Sequence, residues 1–150
     1  MTQIFGGKKF EALFRNAAGL DMDKSDLKRL YEVVNQKMHD MLEMGVVTAQ
    51  ANGRDVIQFY DLPITMAFKE QLREVREYDE TLNLEPILEQ LATLPKLKLD
   101  YSSEVENALP ELTGAITVAL AKMFKAVNPE LKNPKPQDWE KVISVFNILI

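Results

Sequence analysis

The sequence of 150 residues contains no cysteine. That excludes disulfides, thiolate zinc sites and cysteine nucleophiles. Histidine occurs once, as His39. One imidazole is too few for a His-rich metal site and leaves little room for a Ser–His–Asp triad. Glycine is scarce, at 6 residues, and neither a Gly-x-Gly-x-x-Gly nor a Walker A pattern is present. No segment approaches the roughly 18 consecutive apolar residues of a membrane span. Met1 to Phe14 lacks the apolar core of a signal peptide. These absences predict a cytoplasmic, non-catalytic protein with no cofactor, no metal and no membrane partner.

What is present is ordinary for a globular chain: 46% hydrophobic and 27% charged residues, enough length to bury a core without staples. The net charge of −5 is unevenly spread. Residues 1–75 hold 10 basic and 11 acidic side chains, residues 76–150 hold 8 and 12, and Arg76 to Glu111 holds 3 and 9. That balance argues against a general nucleic-acid glue, although local basic patches survive it.

Helical periodicity dominates. Lys8 to Ala18 places Phe10, Leu13, Phe14 and Ala17 on one face, and Gly19 ends the segment. A helix of about 28 residues follows, with Leu27, Leu30, Tyr31, Val34, Met38, Met41, Leu42, Gly45 and Ala49 in one stripe. Asp23 is its expected N-cap and Gly53 its stop. Asp61 with Pro63 reads as the start of a third helix running from Ile64 to about Tyr78.

The second half repeats this order. Glu85–Pro86 opens a short helix over Ile87 to Leu94, closed by Pro95. Lys96-Leu97-Lys98-Leu99 alternates with period two, as a short strand does. Ser103 and Glu106 form a capping-box pattern before a long stripe of Val105, Leu109, Leu112, Ile116, Ala119, Leu120, Met123 and Val127. Pro110 predicts a kink or a later start. A last helix is expected from Asp138, with Trp139 as its core anchor and Ile148-Leu149-Ile150 packed at its end. Short helices cannot cover a long one along its whole face. Two such units crossing through their long helices cover each other.

Ala49-Gln50-Ala51-Asn52-Gly53-Arg54, followed by Asp61-Leu62 and Ala67, resembles the end of the long helix, second loop and third helix of an archaeal-type histone. Arg15-Asn16-Ala17-Ala18-Gly19 resembles the end of the first histone helix. The resemblance covers residues 8–78 at residue level and rests on element lengths beyond residue 84. Leu131 stands where a second arginine would precede Asp138. The whole chain resembles a family of uncharacterised bacterial proteins that hold two histone folds in one chain. The resemblance implies an all-α fold of two histone-fold units, residues 4–80 and 84–150, packed as an intramolecular pseudodimer in one compact domain. It also implies a structural salt bridge between Arg54 and Asp61, and a parallel bridge between Asp55–Ile57 and Leu97–Leu99.

Histone dimers grip duplex phosphates through paired loops and first-helix termini. Carried over, that role falls on Lys8, Lys9, Lys96, Lys98, Lys132 and Lys135. Asp21 and Asp23 in the first loop, and Asp55 in the second, oppose it, because basic residues are expected at those loop positions. Histone folds also serve as protein-pairing units, and the acidic Glu77-Asp79-Glu80-Glu85-Glu89 stretch suits a basic partner or a solvated face. The expected role is therefore a protein-pairing or self-associating module, with weak, sequence-independent DNA binding as the alternative.

Apparent catalytic or metal motifs fail on their spacing. Gly6-Gly7-Lys8-Lys9 lacks the earlier glycine and the Ser/Thr of a P-loop. Asp21-x-Asp23-x-Ser25 with Glu32 imitates a calcium loop, but Asp26 occupies its glycine position and Leu27 and Leu30 already belong to the helix stripe. His39 has no Ser or Cys partner nearby and reads as structural. Met38, Met41 and Met44 read as core filler.

Overall fold

The computed structural model describes residues 7–82 and 95–149. Within them the chain is mostly helical: α1 (Gly7–Ala18), α2 (Lys24–Ala51), β1 (Val56–Ile57), a 3-10 turn (Phe59–Asp61), α3 (Met66–Leu82), β2 (Asp100–Tyr101), α4 (Ser103–Val127) and α5 (Pro136–Leu149). The expected short helix over residues 87–94 lies outside the described residues, as does Ile150.

The helices form where the apolar stripes predict them. Phe10, Leu13 and Phe14 are buried on α1, and Leu27, Leu30, Val34, Met38, Met41, Leu42, Val46 and Ala49 on α2. α1 stops at Gly19 (φ 65°) and α2 just before Gly53 (φ 72°), left-handed positions that a β-carbon disfavours. α2 begins with a reciprocal cap. An Asp23 carboxylate oxygen accepts the Asp26 N–H at 2.8 Å, and an Asp26 carboxylate oxygen accepts the Asp23 N–H at 3.0 Å. Two otherwise orphaned amides are thereby satisfied.

The first half of the chain packs on the second. α1 and α3 lie more extensively against α4 than against α2, and α2 crosses α4 directly. The central turns of α4, including Leu112, Ala115, Ile116, Val118 and Leu120, are consequently buried nearly all round. Thr113 and Thr117 lie within this core and donate their hydroxyls to the Leu109 and Thr113 carbonyls, at 2.8 and 2.9 Å. Two loop pairings hold the ends together. β1 and β2 are parallel, with Val56 opposite Asp100 and Ile57 opposite Tyr101. At the other pairing the Asp21 N–H donates to the Lys132 carbonyl at 2.8 Å.

At Gly45, α2 comes close to this framework. A β-carbon there would meet Ile57 Cγ2 at 2.8 Å and Leu62 Cδ2 at 3.1 Å. Ile57 is fully buried and Leu62 nearly so, so neither yields easily. Gly45→Leu is expected to cost about 2 kcal/mol through overpacking, more than the helix propensity it gains. Urea denaturation measures this, and a variant as stable as wild type would refute the close approach.

Several sequence expectations need correction. The parallel bridge forms, but its second strand is Asp100–Tyr101 and not Leu97–Leu99. The Lys96–Leu99 alternation instead records half-burial of Leu97 and Leu99 against the core. The cap of α4 is Ser102, whose Oγ accepts the Val105 N–H at 3.3 Å, and not Ser103. Pro110 does not delay α4, which starts at Ser103 and runs through it. α3 starts at Met66, not Ile64, because Thr65 caps it by accepting the Phe68 N–H at 3.1 Å. α5 starts at Pro136, not Asp138, and Asp138 accepts the Lys135 N–H at 2.8 Å from within the first turn. Ile148 and Leu149 are not packed as expected, being 82% and 68% exposed.

Candidate functional site

The strongest local constellation lies after α2. Arg54 sits immediately beyond Gly53, and its N–H returns to the Ala49 carbonyl at 2.9 Å. This aims the guanidinium across the loop at Asp61. The two side chains pair in a bidentate fork, with Nη2 2.7 Å from Oδ1 and Nη1 bonded to Oδ2. Asp61 Oδ2 also accepts the Gln58 N–H at 2.8 Å. The Asp61 side chain is fully buried and that of Arg54 largely so. The Arg54 guanidinium holds the Asp61 carboxyl below the usual carboxylate range, while Asp61 raises Arg54 further. Tyr60 stacks over the guanidinium at 4.8 Å. With three bonds on its carboxylate, from Arg54 twice and from the Gln58 N–H, Asp61 acts with Arg54 as a clamp between the loop and the approach to α3.

A second buried polar contact ties α5 to α2. Trp139, fully buried, donates its indole N–H to Asp26 Oδ1 at 2.8 Å. Its ring stacks on Phe14 at 6.4 Å and meets Phe124 edge-on at 4.8 Å. Burial pushes the Asp26 carboxyl up, and the bonds it accepts from the Asp23 backbone N–H and the Trp139 indole offset part of that rise. Sequence reasoning treats Asp26 only as the residue that spoils a calcium loop. The available signal is its spacing of three from Asp23, a capping box written with two aspartates.

The six lysines fall in three places. Lys8 and Lys9 lie in the first turns of α1, with Lys8 exposed. Lys96 and Lys98 are exposed on the approach to β2, and Lys132 and Lys135 on the loop before α5. Carboxylates accompany them. Asp21, whose backbone meets Lys132, pairs with Arg15 at 3.7 Å. Asp55 adjoins β1, and Asp100 lies in the paired strand. Both loop pairings thus mix lysines with aspartates.

Among the described residues, the other side chains offer no assembled chemistry. His39 Nε2 is 3.5 Å from Glu43, without hydrogen-bond geometry, and lines a shallow hollow beside Lys96 and Tyr101. Glu74 joins Lys122 across α3 and α4 and accepts the Tyr78 hydroxyl at 2.7 Å. Burial and the adjacent Glu74 push the Tyr78 phenol up to about 12. Among the described residues no three His, Asp or Glu side chains gather to hold a metal, and no helix is long and apolar enough to cross a membrane.

A helical chain closed by two loop pairings, with one internal Arg–Asp clamp and no assembled catalytic cluster among the described residues, defines a structural class and not a reaction. The chain belongs to the DUF1931 family, a domain of unknown function, which it matches over residues 10–147. It is similar to the crystal structure of a Thermus thermophilus protein, with a TM-score of 0.90 and 44% identity, covering 99% of this chain and 100% of that one. A crystal structure from Aquifex aeolicus shares the fold at a TM-score of 0.85 and 21% identity, covering 100% and 99%. An uncharacterised protein from Aquifex aeolicus strain VF5 is 29% identical over 136 residues, which is 81% of this chain and 78% of that protein. Another from the same strain is 22% identical over 147 residues, covering 98% and 85%.

Proposed function

We propose that this chain is a non-catalytic, single-chain pair of histone folds that serves as a protein-pairing module in the cytoplasm. The reading joins the short-long-short helix order of the first half, its packing on α4 and the two loop pairings. The charge at those pairings carries the choice of partner. Asp21 and Asp23 flank one, and Asp55 and Asp100 flank the other. In the proposed fold these are the surfaces that would face phosphate, and carboxylates there repel it. The same charges suit a basic protein surface.

A DNA-binding reading draws on exposed Lys96, Lys98, Lys132 and Lys135 at the same two pairings. A salt series on duplex DNA separates the two. Six lysines on phosphate would lose about a thousandfold in affinity between about 50 and 200 mM salt. The pairing reading expects no retention of DNA even at the lower salt. Tight binding with that steep slope, abolished by Lys132→Glu with Lys135→Glu, would overturn it in favour of DNA.

A further inference from the structure

Asn52–Gly53 is the one Asn-Gly pair in the sequence, and such a pair carries its own chemistry. The glycine nitrogen can attack the asparagine side-chain amide carbon, and a residue without a β-carbon leaves that approach open. Both residues are exposed at the end of α2, so water and hydroxide reach them. In the reaction, the Gly53 nitrogen gives its proton to hydroxide and bonds to Asn52 Cγ. The Cγ–Nδ2 bond breaks, and the leaving nitrogen takes a proton from water and departs as ammonia. Water then opens the cyclic imide at either carbonyl, giving aspartate or isoaspartate.

The folded geometry holds the pair out of reaction. Asn52 has φ −104° and ψ 15°, which turns the Gly53 nitrogen back along the helix. There its N–H donates to the Gln50 carbonyl at 3.0 Å. The Asn52 Nδ2 that would leave donates to the Thr48 carbonyl at 2.8 Å. Ring closure needs a large rotation about that ψ, and the rotation carries Gly53 and Arg54 with it. Arg54 resists at two points. Its N–H is bonded to the Ala49 carbonyl at 2.9 Å, and its guanidinium is forked onto buried Asp61.

We infer that Asn52–Gly53 is a self-modification site gated by the Arg54–Asp61 clamp. The chain converts Asn52 to aspartate and isoaspartate through a local opening of the α2 end, and the clamp sets how often that opening occurs. Local openings of this kind lie below global unfolding in free energy. The product matters to the fold, because the helix dipole opposes a carboxylate at a helix C-terminus, and a carboxylate has no donor for the Thr48 carbonyl.

The test incubates the full chain in mildly alkaline buffer and follows the Asn52 peptide by mass spectrometry, with isoaspartate separated by chromatography. Each rate is divided by that of the same chain unfolded in guanidinium chloride, which removes changes in intrinsic reactivity. Folded wild type should convert about tenfold to a thousandfold more slowly than unfolded. Arg54→Lys should raise the folded rate at least about fivefold, since lysine cannot form the fork. Trp139→Phe weakens the fold at the opposite end of α2, where the indole meets Asp26. It should leave the folded rate within about twofold of wild type. No conversion of the folded chain within that range overturns the site, and equal rates folded and unfolded overturn the gate. Equal rates for Arg54→Lys and wild type, or an equal acceleration by Trp139→Phe, would take the clamp out of the opening.

Discussion

Asp61→Ala is expected to destabilise the chain by about 3 kcal/mol, the lower end of the range for breaking a buried ion pair. The cost has two parts. Arg54, largely buried and stacked on Tyr60, loses its counter-charge. The Gln58 N–H loses its acceptor inside the same turn. For a chain of 150 residues this corresponds to a fall in Tm of roughly 6–12 °C. Arg54→Lys keeps a positive charge but loses the fork and the stacking, and is expected to cost about half as much. The effect has a signature in pH. The carboxyl of Asp61 is held below its unfolded value. Its stabilisation is therefore complete above about pH 5 and is lost as pH falls through the folded pKa. Asp61→Ala should show a smaller deficit in acid than at neutral pH. An equal deficit at both would place the cost in packing and not in the ion pair.

The features legible in the sequence are those written in period or in fixed spacing. The stripes of α2 and α4 follow the helical repeat, so their buried faces can be read directly. Gly19 ends α1, and Asp23 and Gly53 bound α2, each for its own conformational reason. The Arg54–Asp61 clamp is legible through its spacing of seven together with a resemblance, not through either residue alone. The features that escape depend on what packs from far away. Lys96–Leu99 alternates because Leu97 and Leu99 lean on the core, and alternation by itself does not say which residues pair with β1. Pro110 signals a kink or a later start locally, yet α4 begins at Ser103 and runs through it, packed against α1 and α3. Lys37 looks like any helix lysine until α5 brings Phe146 beneath it. Asp26 is 113 positions from the indole that completes its role. These long-range contacts decide the polar details, whereas the stripes decide the architecture.

Trp139→Ala should be among the most damaging single changes, costing about 4 kcal/mol. The ring is fully buried and joins Phe14 of α1 to Phe124 of α4, so its loss opens a cavity where both halves of the chain meet. Trp139→Phe isolates the polar part of that contact. Phenylalanine keeps most of the aromatic packing but removes the N–H that Asp26 accepts, for an expected cost of about 1–2 kcal/mol. Here the dependence on pH follows from an acid whose folded pKa is raised. Burial already favours the protonated form of Asp26, and the indole donor favours the charged one. Removing the donor raises the folded pKa further above its unfolded value. Proton uptake then favours the folded state, so the penalty is full at neutral pH and shrinks as pH falls through that pKa. Denaturant titrations at pH 7 and about pH 4.5 measure the difference. A deficit in Trp139→Phe that does not change between them would remove Asp26 from the account and leave only the smaller ring.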